Sequence, residues 1–229
     1  MEKELFEIQG IPAVLYGQHS HKIYLFLHGK CGYKEEAEAF AEIACAAQYQ
    51  VLSIDLPGHG KRKEPLATCN PWIVIPELKT VMSYMEARWN KISIRANSIG
   101  AYFALLAFEN VQKALLVSPI VDMERLILDL MTWAGVQEWE LKEKGEIPTE
   151  FGETLSWRYL TYVREHDIHH WSCPICLLYG DKDSMTSKDT IHTFVQKYGA
   201  DLTVVREGEH WFHTSCQLAA LAYWERENI

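Results

Sequence analysis

The sequence predicts an α/β protein: a doubly wound, mostly parallel eight-stranded sheet with helices on both faces and one helical insertion. Three observations predict it. Short, dense apolar runs alternate with longer stretches whose apolar residues recur at helical spacing, the pattern of strands joined by crossover helices. Most of the short runs are apolar throughout, as strands covered on both faces must be. The 229 residues, 48% of them hydrophobic, suit one large domain. Such a chain buries about 70% of its unfolded surface and needs neither disulfide nor metal to fold.

The elements follow in order. Residues 5–8 and 13–16 read as two opening strands, and 22–27 as a buried strand ending at His28-Gly29. Residues 34–48, rich in Ala and Glu, read as a helix. The strand 51–55 runs into Leu56-Pro57-Gly58-His59-Gly60, a cluster of turn residues. A helix ending near Trp89 puts Leu78, Val81, Met82, Met85 and Trp89 on one face. Then come strand 91–96, helix 98–108 and strand 113–117. The interval 122–171 shows no clear strand. It has helix-like stretches at 123–134 and 153–166 and holds Trp133, Trp139, Trp157, Tyr159, Tyr162 and Trp171. Strand 175–180, helix 187–198, strand 201–206 and helix 214–226 close the chain. No Gly/Ser/Pro-rich linker flanks the interval, so it reads as an insertion packed on the core. The expected division is 1–121 and 172–229 for the core and 122–171 for a helical cap, with most of the tryptophans anchoring the cap.

Composition excludes some partners. With 22 Lys+Arg against 31 Asp+Glu, the net charge is −9. No surface supplies the cations that neutralise phosphates, so nucleic acid is not expected, and neither is an anionic membrane. The first residues are acidic and lack the apolar run of a signal peptide, so a cytoplasmic location is expected. The six cysteines then read as free thiols. Cys173 and Cys176 have the CxxC spacing, but they lead into an apolar run without a second pair, which favours a structural role. His166, His169 and His170 lack a complementary metal motif and read as an exposed helix end. Neither a GxGxxG nor a Walker lysine motif is present, so no cofactor is expected.

The decisive segment is Lys91-Ile-Ser-Ile-Arg-Ala96-Asn97-Ser98-Ile99-Gly100. A strand runs straight into a helix with a serine at the turn and small residues two before and two after it. A turn this sharp brings the two backbones together, so its neighbours must be small, and it holds the serine hydroxyl clear of the sheet edge. An N-capping serine is the bland alternative.

This segment resembles the nucleophile elbow of the α/β-hydrolase superfamily, with Ala96 where the family motif Gly-x-Ser-x-Gly has its first glycine. The resemblance covers nearly the whole chain. It implies that Ser98 is a nucleophile. His28-Gly29-Lys30 resembles the family's His-Gly loop, which implies that the backbone N–H groups of Lys30 and Ile99 form an oxyanion hole. His28 is expected to brace that loop, and the Lys30 ammonium to extend into solvent. Gly180-Asp181-Lys182-Asp183 resembles the turn carrying the family's acid. Asp181 competes, and the motif register favours Asp183. Gly208-Glu209-His210-Trp211 resembles the catalytic-histidine loop and implies that His210 is the base. His59 is expected to stabilise its loop, and His213 to lie at a helix start. The resemblance implies a serine hydrolase acting on a carboxylic ester or thioester of a small to medium apolar acyl group. Acyl transfer, lyase or peroxidase chemistry on the same residues, or a non-enzymatic binding protein, are the alternatives. Oligomeric state has no sequence signal.

Overall fold

The computed structural model describes residues 1–65, 68–168 and 171–229. Ten strands and eight α-helices are present among them. The main sheet holds eight strands in the order β1-β2-β4-β3-β5-β6-β9-β10. These are β1 (Lys3–Ile8), β2 (Ile11–Tyr16), β3 (Lys22–Leu27), β4 (Gln50–Ile54), β5 (Lys91–Asn97), β6 (Ala114–Val117), β9 (Ile175–Gly180) and β10 (Asp201–Val205). Strands β1 and β2 form an antiparallel hairpin, and β2 is antiparallel to β4. All other pairings are parallel. The sheet expected from the apolar runs is therefore present, with β3 and β9 spanning the residues the sequence indicated.

Two apolar layers cover the sheet. One face packs against α2 (Pro71–Glu86), α3 (Ser98–Ala107), α4 (Met123–Ala134) and α7 (Lys188–Tyr198), through residues such as Leu78, Phe103, Ile127 and Phe194. The other packs against α1 (Glu38–Ala46) and α8 (Ser215–Asn228), through Phe40, Ala44 and Trp224. Strands β3, β6 and β9 contribute apolar residues to both layers, which explains their unbroken apolar runs, whereas β5 contributes only to the first, through Ile92, Ile94 and Ala96.

Between β6 and β9 the structure departs from the sequence reading in three ways. The region was expected to hold no strand, yet β7 (Glu146–Pro148) and β8 (Thr154–Ser156) pair as a short antiparallel hairpin. A further helix, α5 (Glu138–Lys144), precedes it. Trp133 and Trp139 are exposed and anchor nothing inward. Anchoring falls to other aromatics: Trp171 is buried and its indole donates to the Leu105 carbonyl at 3.2 Å. Tyr159 and Tyr162, on α6 (Trp157–Glu165), pack edge-on against Trp72 of α2, with centroids 5.8 and 5.7 Å away. The helix expected at 34–48 is shorter and begins as a 3-10 turn, Lys34–Ala37, before α1.

Among the described residues, no helix is long and apolar enough to cross a membrane. Both CxxC thiols are free, as are the other four cysteines, and burial pushes the Cys173 and Cys176 thiols up. His169 and His170 lie outside the described residues. His166 stacks on the Tyr162 ring at the exposed end of α6.

Candidate active site

Strand β5 delivers Ser98 to the C-terminal edge of the sheet, where it is the first residue of α3. Its φ is +47°, a left-handed conformation that costs a non-glycine residue of order 1 kcal/mol or more. The flanking residues explain how the turn is tolerated. Ala96 is fully buried between Leu27 of β3 and Leu116 of β6. A Cβ on Gly100 would meet the His28 carbonyl oxygen at 2.4 Å and that of Leu27 at 3.0 Å, so this position accepts no side chain.

The Ser98 hydroxyl lies 2.8 Å from His210 Nε2. On the other side of the ring, His210 Nδ1 lies 2.8 Å from Asp183 Oδ2. Serine, histidine and aspartate, from three loops spread over 112 residues, thus form one continuous hydrogen-bonded line. Asp183 has no exposed side-chain surface, and its second oxygen accepts from the Met185 and Thr186 N–H groups at 2.8 and 3.0 Å. A carboxylate held by two amides at one oxygen presents the other at a fixed angle to the ring. Asp181 does a different job: its side chain accepts from the Glu207 N–H at 2.6 Å and ties the two loops together.

Glycines set the relation between the loops that carry Asp183 and His210. A Cβ on Gly180 would sit 2.3 Å from the Gly208 carbonyl oxygen, and one on Gly208 would sit 2.9 Å from the Gly180 Cα. The Lys182 N–H donates to Gly208 O at 2.8 Å across the same crossing. The His210 loop is fixed further at its end. Thr214 and Gln217 form a capping box on α8, and the Gln217 amide also donates back to the Glu207 carbonyl.

His28 is buried and bridges two loops. Its Nε2 accepts from the Leu56 N–H at 3.1 Å, which leaves Nδ1 to donate to the Gly29 carbonyl at 2.7 Å. Burial pushes its pKa down to about 4. His59 lies beside it, ring centroids 5.1 Å apart, with Nδ1 on the Pro57 carbonyl and its pKa lowered by burial. Neither histidine hydrogen-bonds Ser98. Both hold loops, as their sequence context indicated.

The loop after β3 passes close to Ser98: a Cβ on Gly29 would lie 3.4 Å from the Ser98 Cβ. The Lys30 N–H donates to no protein acceptor among the described residues. Ile99, in the first turn of α3, has no intrahelical acceptor for its N–H. The Lys30 side chain does not extend freely into solvent, as the sequence had led us to expect. Its ammonium pairs with Glu153 of the insertion, because the loop after β3 and the start of β8 meet at the same edge.

A cavity of about 810 Å³ opens beside Ser98 and His210. Its apolar wall includes Phe26, Phe40, Val117, Phe212, Leu218 and Leu221. It also reaches Arg95 and Glu225, which nothing in the sequence had singled out. Among the described residues, none of 122–171 lines it, so the insertion's aromatics do not form its wall.

No protein-family model and no curated protein sequence matches the chain. Solved structures do. Est1E from Butyrivibrio proteoclasticus, solved with ferulic acid bound, superposes with a TM-score of 0.80 at 17% identity, covering 98% of this chain and 96% of that one. Alpha/beta hydrolase domain-containing protein 10 from mouse gives 0.77 at 15% identity over 99% and 98% of the two chains. The thioesterase domain from the curacin biosynthetic pathway gives 0.62 at 17% identity over 98% and 99%. Together with the sheet order, these likenesses show that the chain has the α/β-hydrolase fold.

Proposed function

We propose that the protein is a serine hydrolase that cleaves carboxylic esters or thioesters, with Ser98 as nucleophile, His210 as base and Asp183 as its orienting acid. The observation that carries this is the unbroken line from the Ser98 hydroxyl through the His210 ring to the Asp183 carboxylate, 2.8 Å at each step. A serine hydroxyl is a weak nucleophile until a neighbouring base takes its proton. Likeness to an esterase solved with ferulic acid and to a thioesterase domain supports the same reading.

In this mechanism Ser98 Oγ attacks the substrate carbonyl carbon while His210 Nε2 takes its proton. The carbonyl π electrons move onto oxygen, and the Lys30 and Ile99 N–H groups donate to that oxyanion. Asp183 accepts from His210 Nδ1–H and stabilises the imidazolium. The carbonyl re-forms, the bond to the leaving alcohol or thiol breaks, and His210 returns the proton to it. Water then repeats the sequence on the acyl-enzyme and releases the acid. Residues 122–171 act as a cap, fastened to the oxyanion loop by Lys30 and Glu153.

A panel of p-nitrophenyl esters and acyl thioesters tests this, with the Ser98→Ala variant as control. The expected result is turnover by the wild type, loss of at least about a thousandfold in the variant, and fluorophosphonate labelling that disappears with Ser98. Undiminished turnover in the variant, or failure of the wild type to label, overturns it.

A further inference from the structure

The cavity beside Ser98 contains a pair of charges that ester cleavage does not use. Arg95 lies three residues before Ser98 on β5, in the middle of the apolar layer under α1 and α8, and is only 2% exposed. Its Nε donates to Glu225 Oε1 of α8 at 2.8 Å, and its Nη1 donates to Asn97 Oδ1 at 2.6 Å. The rings of Phe26 and Phe40 lie 5.3 and 5.7 Å from the guanidinium carbon. Glu225 is 3% exposed.

The pair is incompletely satisfied. Arg95 Nη2 and Glu225 Oε2 have no hydrogen-bond partner among the described residues. Neither is sealed away, because neither belongs to the buried polar atoms that lack both partner and accessible surface. Both residues line the cavity that Ser98 and His210 line. The free N–H groups of Arg95 Nη2 and the free Glu225 Oε2 therefore belong to a cavity whose lining also includes Lys30, Glu36, Asn97 and Ser118 beside its apolar residues. Replacing a buried ion pair by apolar residues of similar volume is often neutral or stabilising. Packing alone leaves the free donor and acceptor without a purpose.

We infer that this cavity binds one arm of the substrate, an apolar chain whose far end is a neutral group that both donates and accepts hydrogen bonds, a hydroxyl or a primary amide. The inference rests on Ser98 being the nucleophile and adds the substrate class. Charge decides the head group. The pair is neutral overall, so a carboxylate would face the free oxygen of Glu225, and an ammonium would face the free amine of Arg95. A hydroxyl accepts from Arg95 Nη2 and donates to Glu225 Oε2. An alkyl end satisfies neither atom and strips water from both, the situation in which a site rejects the analogue lacking the polar group. The ring walls of Phe26, Phe40 and Phe212 suit the apolar body.

The test compares esters that differ only at the chain end. On the acyl side these are p-nitrophenyl hexanoate and its ω-hydroxy, ω-amide, ω-carboxy and ω-ammonio counterparts. On the alcohol side they are hexyl acetate and ω-hydroxyhexyl acetate. The expected result is a kcat/KM at least about tenfold higher for the hydroxyl or amide ester in one of the two series. In Arg95→Met/Glu225→Leu, checked for folding by circular dichroism, the ratio to the alkyl ester should fall to about one. Glu225→Gln keeps the pairing with Arg95 and guards against a misfolded double variant; it should retain a reduced preference. No preference in either series, a preference for the charged ends, or an undiminished ratio in the double variant overturns the inference.

A separate reading is thermal stabilisation of Ser98→Ala by hexanol and by the corresponding α,ω-diol. If wild type turns over none of the esters but the diol stabilises more strongly, the subsite stands and the hydrolase reading falls. If the alkyl esters are turned over with no preference and the diol has no advantage, the hydrolase reading stands and the subsite falls.

Discussion

The carbonyl oxygen of His28 occupies the space that a side chain at Gly100 would need, 2.4 Å from where a Cβ would stand. The His28 carbonyl is backbone just after β3, and a Cβ is fixed by the backbone of Gly100 in the first turn of α3, so neither yields by turning a side chain. Gly100→Ala should push the loop carrying Lys30 away from Ser98. The expected outcome is a fall in kcat of at least about tenfold and a loss of about 1–3 kcal/mol of stability, the usual cost of overpacking. Ester kinetics and urea unfolding check both.

Two aspartates two residues apart have separable jobs. Asp183 faces His210, whereas Asp181 holds the Glu207 N–H. Asp183→Asn presents an amide to a ring nitrogen that needs an acceptor. It should lower kcat by about a thousandfold or more, as orienting acids do in triads of this kind. Asp181→Asn should leave kcat within about threefold. The two rates, measured on one ester, give the comparison.

Acid should destabilise the fold through His28. Its pKa is lowered by burial from 6.5 to about 4, so the unfolded chain takes up this proton before the folded one does. The stability it confers is fully present above about pH 6.5, falls as pH drops, and is gone below about 4. The loss is of order 3 kcal/mol across that window. His59, also lowered by burial, acts in the same direction. Urea unfolding at intervals from pH 7 to 4 should show this decline, and His28→Gln, already destabilised at pH 7, should show a shallower one.

The Lys30–Glu153 contact joins two half-exposed side chains. Surface pairs of this kind are worth about 1 kcal/mol or less and weaken with salt. A double-mutant cycle with Lys30→Ala and Glu153→Ala should give a coupling in unfolding free energy no larger than that, falling further in concentrated salt. KM should change more than kcat, because the pair positions the insertion and not the reacting atoms.

The core was legible because its signals are local and repeated. β3 and β9 are unbroken apolar runs bounded by turn residues, and the turn at Ser98 announces itself through the small residues Ala96 and Gly100. Residues 138–152 carried no such signal, and 153–156, read as the start of a helix, hold β8 instead. α5 buries a single residue, Leu141, and β7 and β8 are three residues each, too short for any period to repeat. The partner of Lys30 lies 123 residues away, and that of Arg95 lies 130 away. No spacing rule reaches that far; only the assembled sheet brings Arg95 of β5 to Glu225 of α8. Arg95 was readable as part of a strand, but not as the wall of a cavity.

The crossing of Gly180 and Gly208 decides where the machinery tolerates error. The Asp183 and His210 loops are held to each other by backbone contact and by the Asp181 and Lys182 bonds at the β9–β10 edge. Ser98 stands three strands in from that edge, on β5, and among the described residues is tied to the Asp183 loop only at second hand, by the Ile120 N–H on the Ser98 carbonyl and Thr186 Oγ1 on the Pro119 carbonyl. A slow drift of the sheet margin, from heat or from a distant substitution, therefore preserves the spacing between His210 and Asp183 and lengthens the one between His210 and Ser98. On gradual heating, reactivity of the serine should fail before the pairing of histidine with aspartate does.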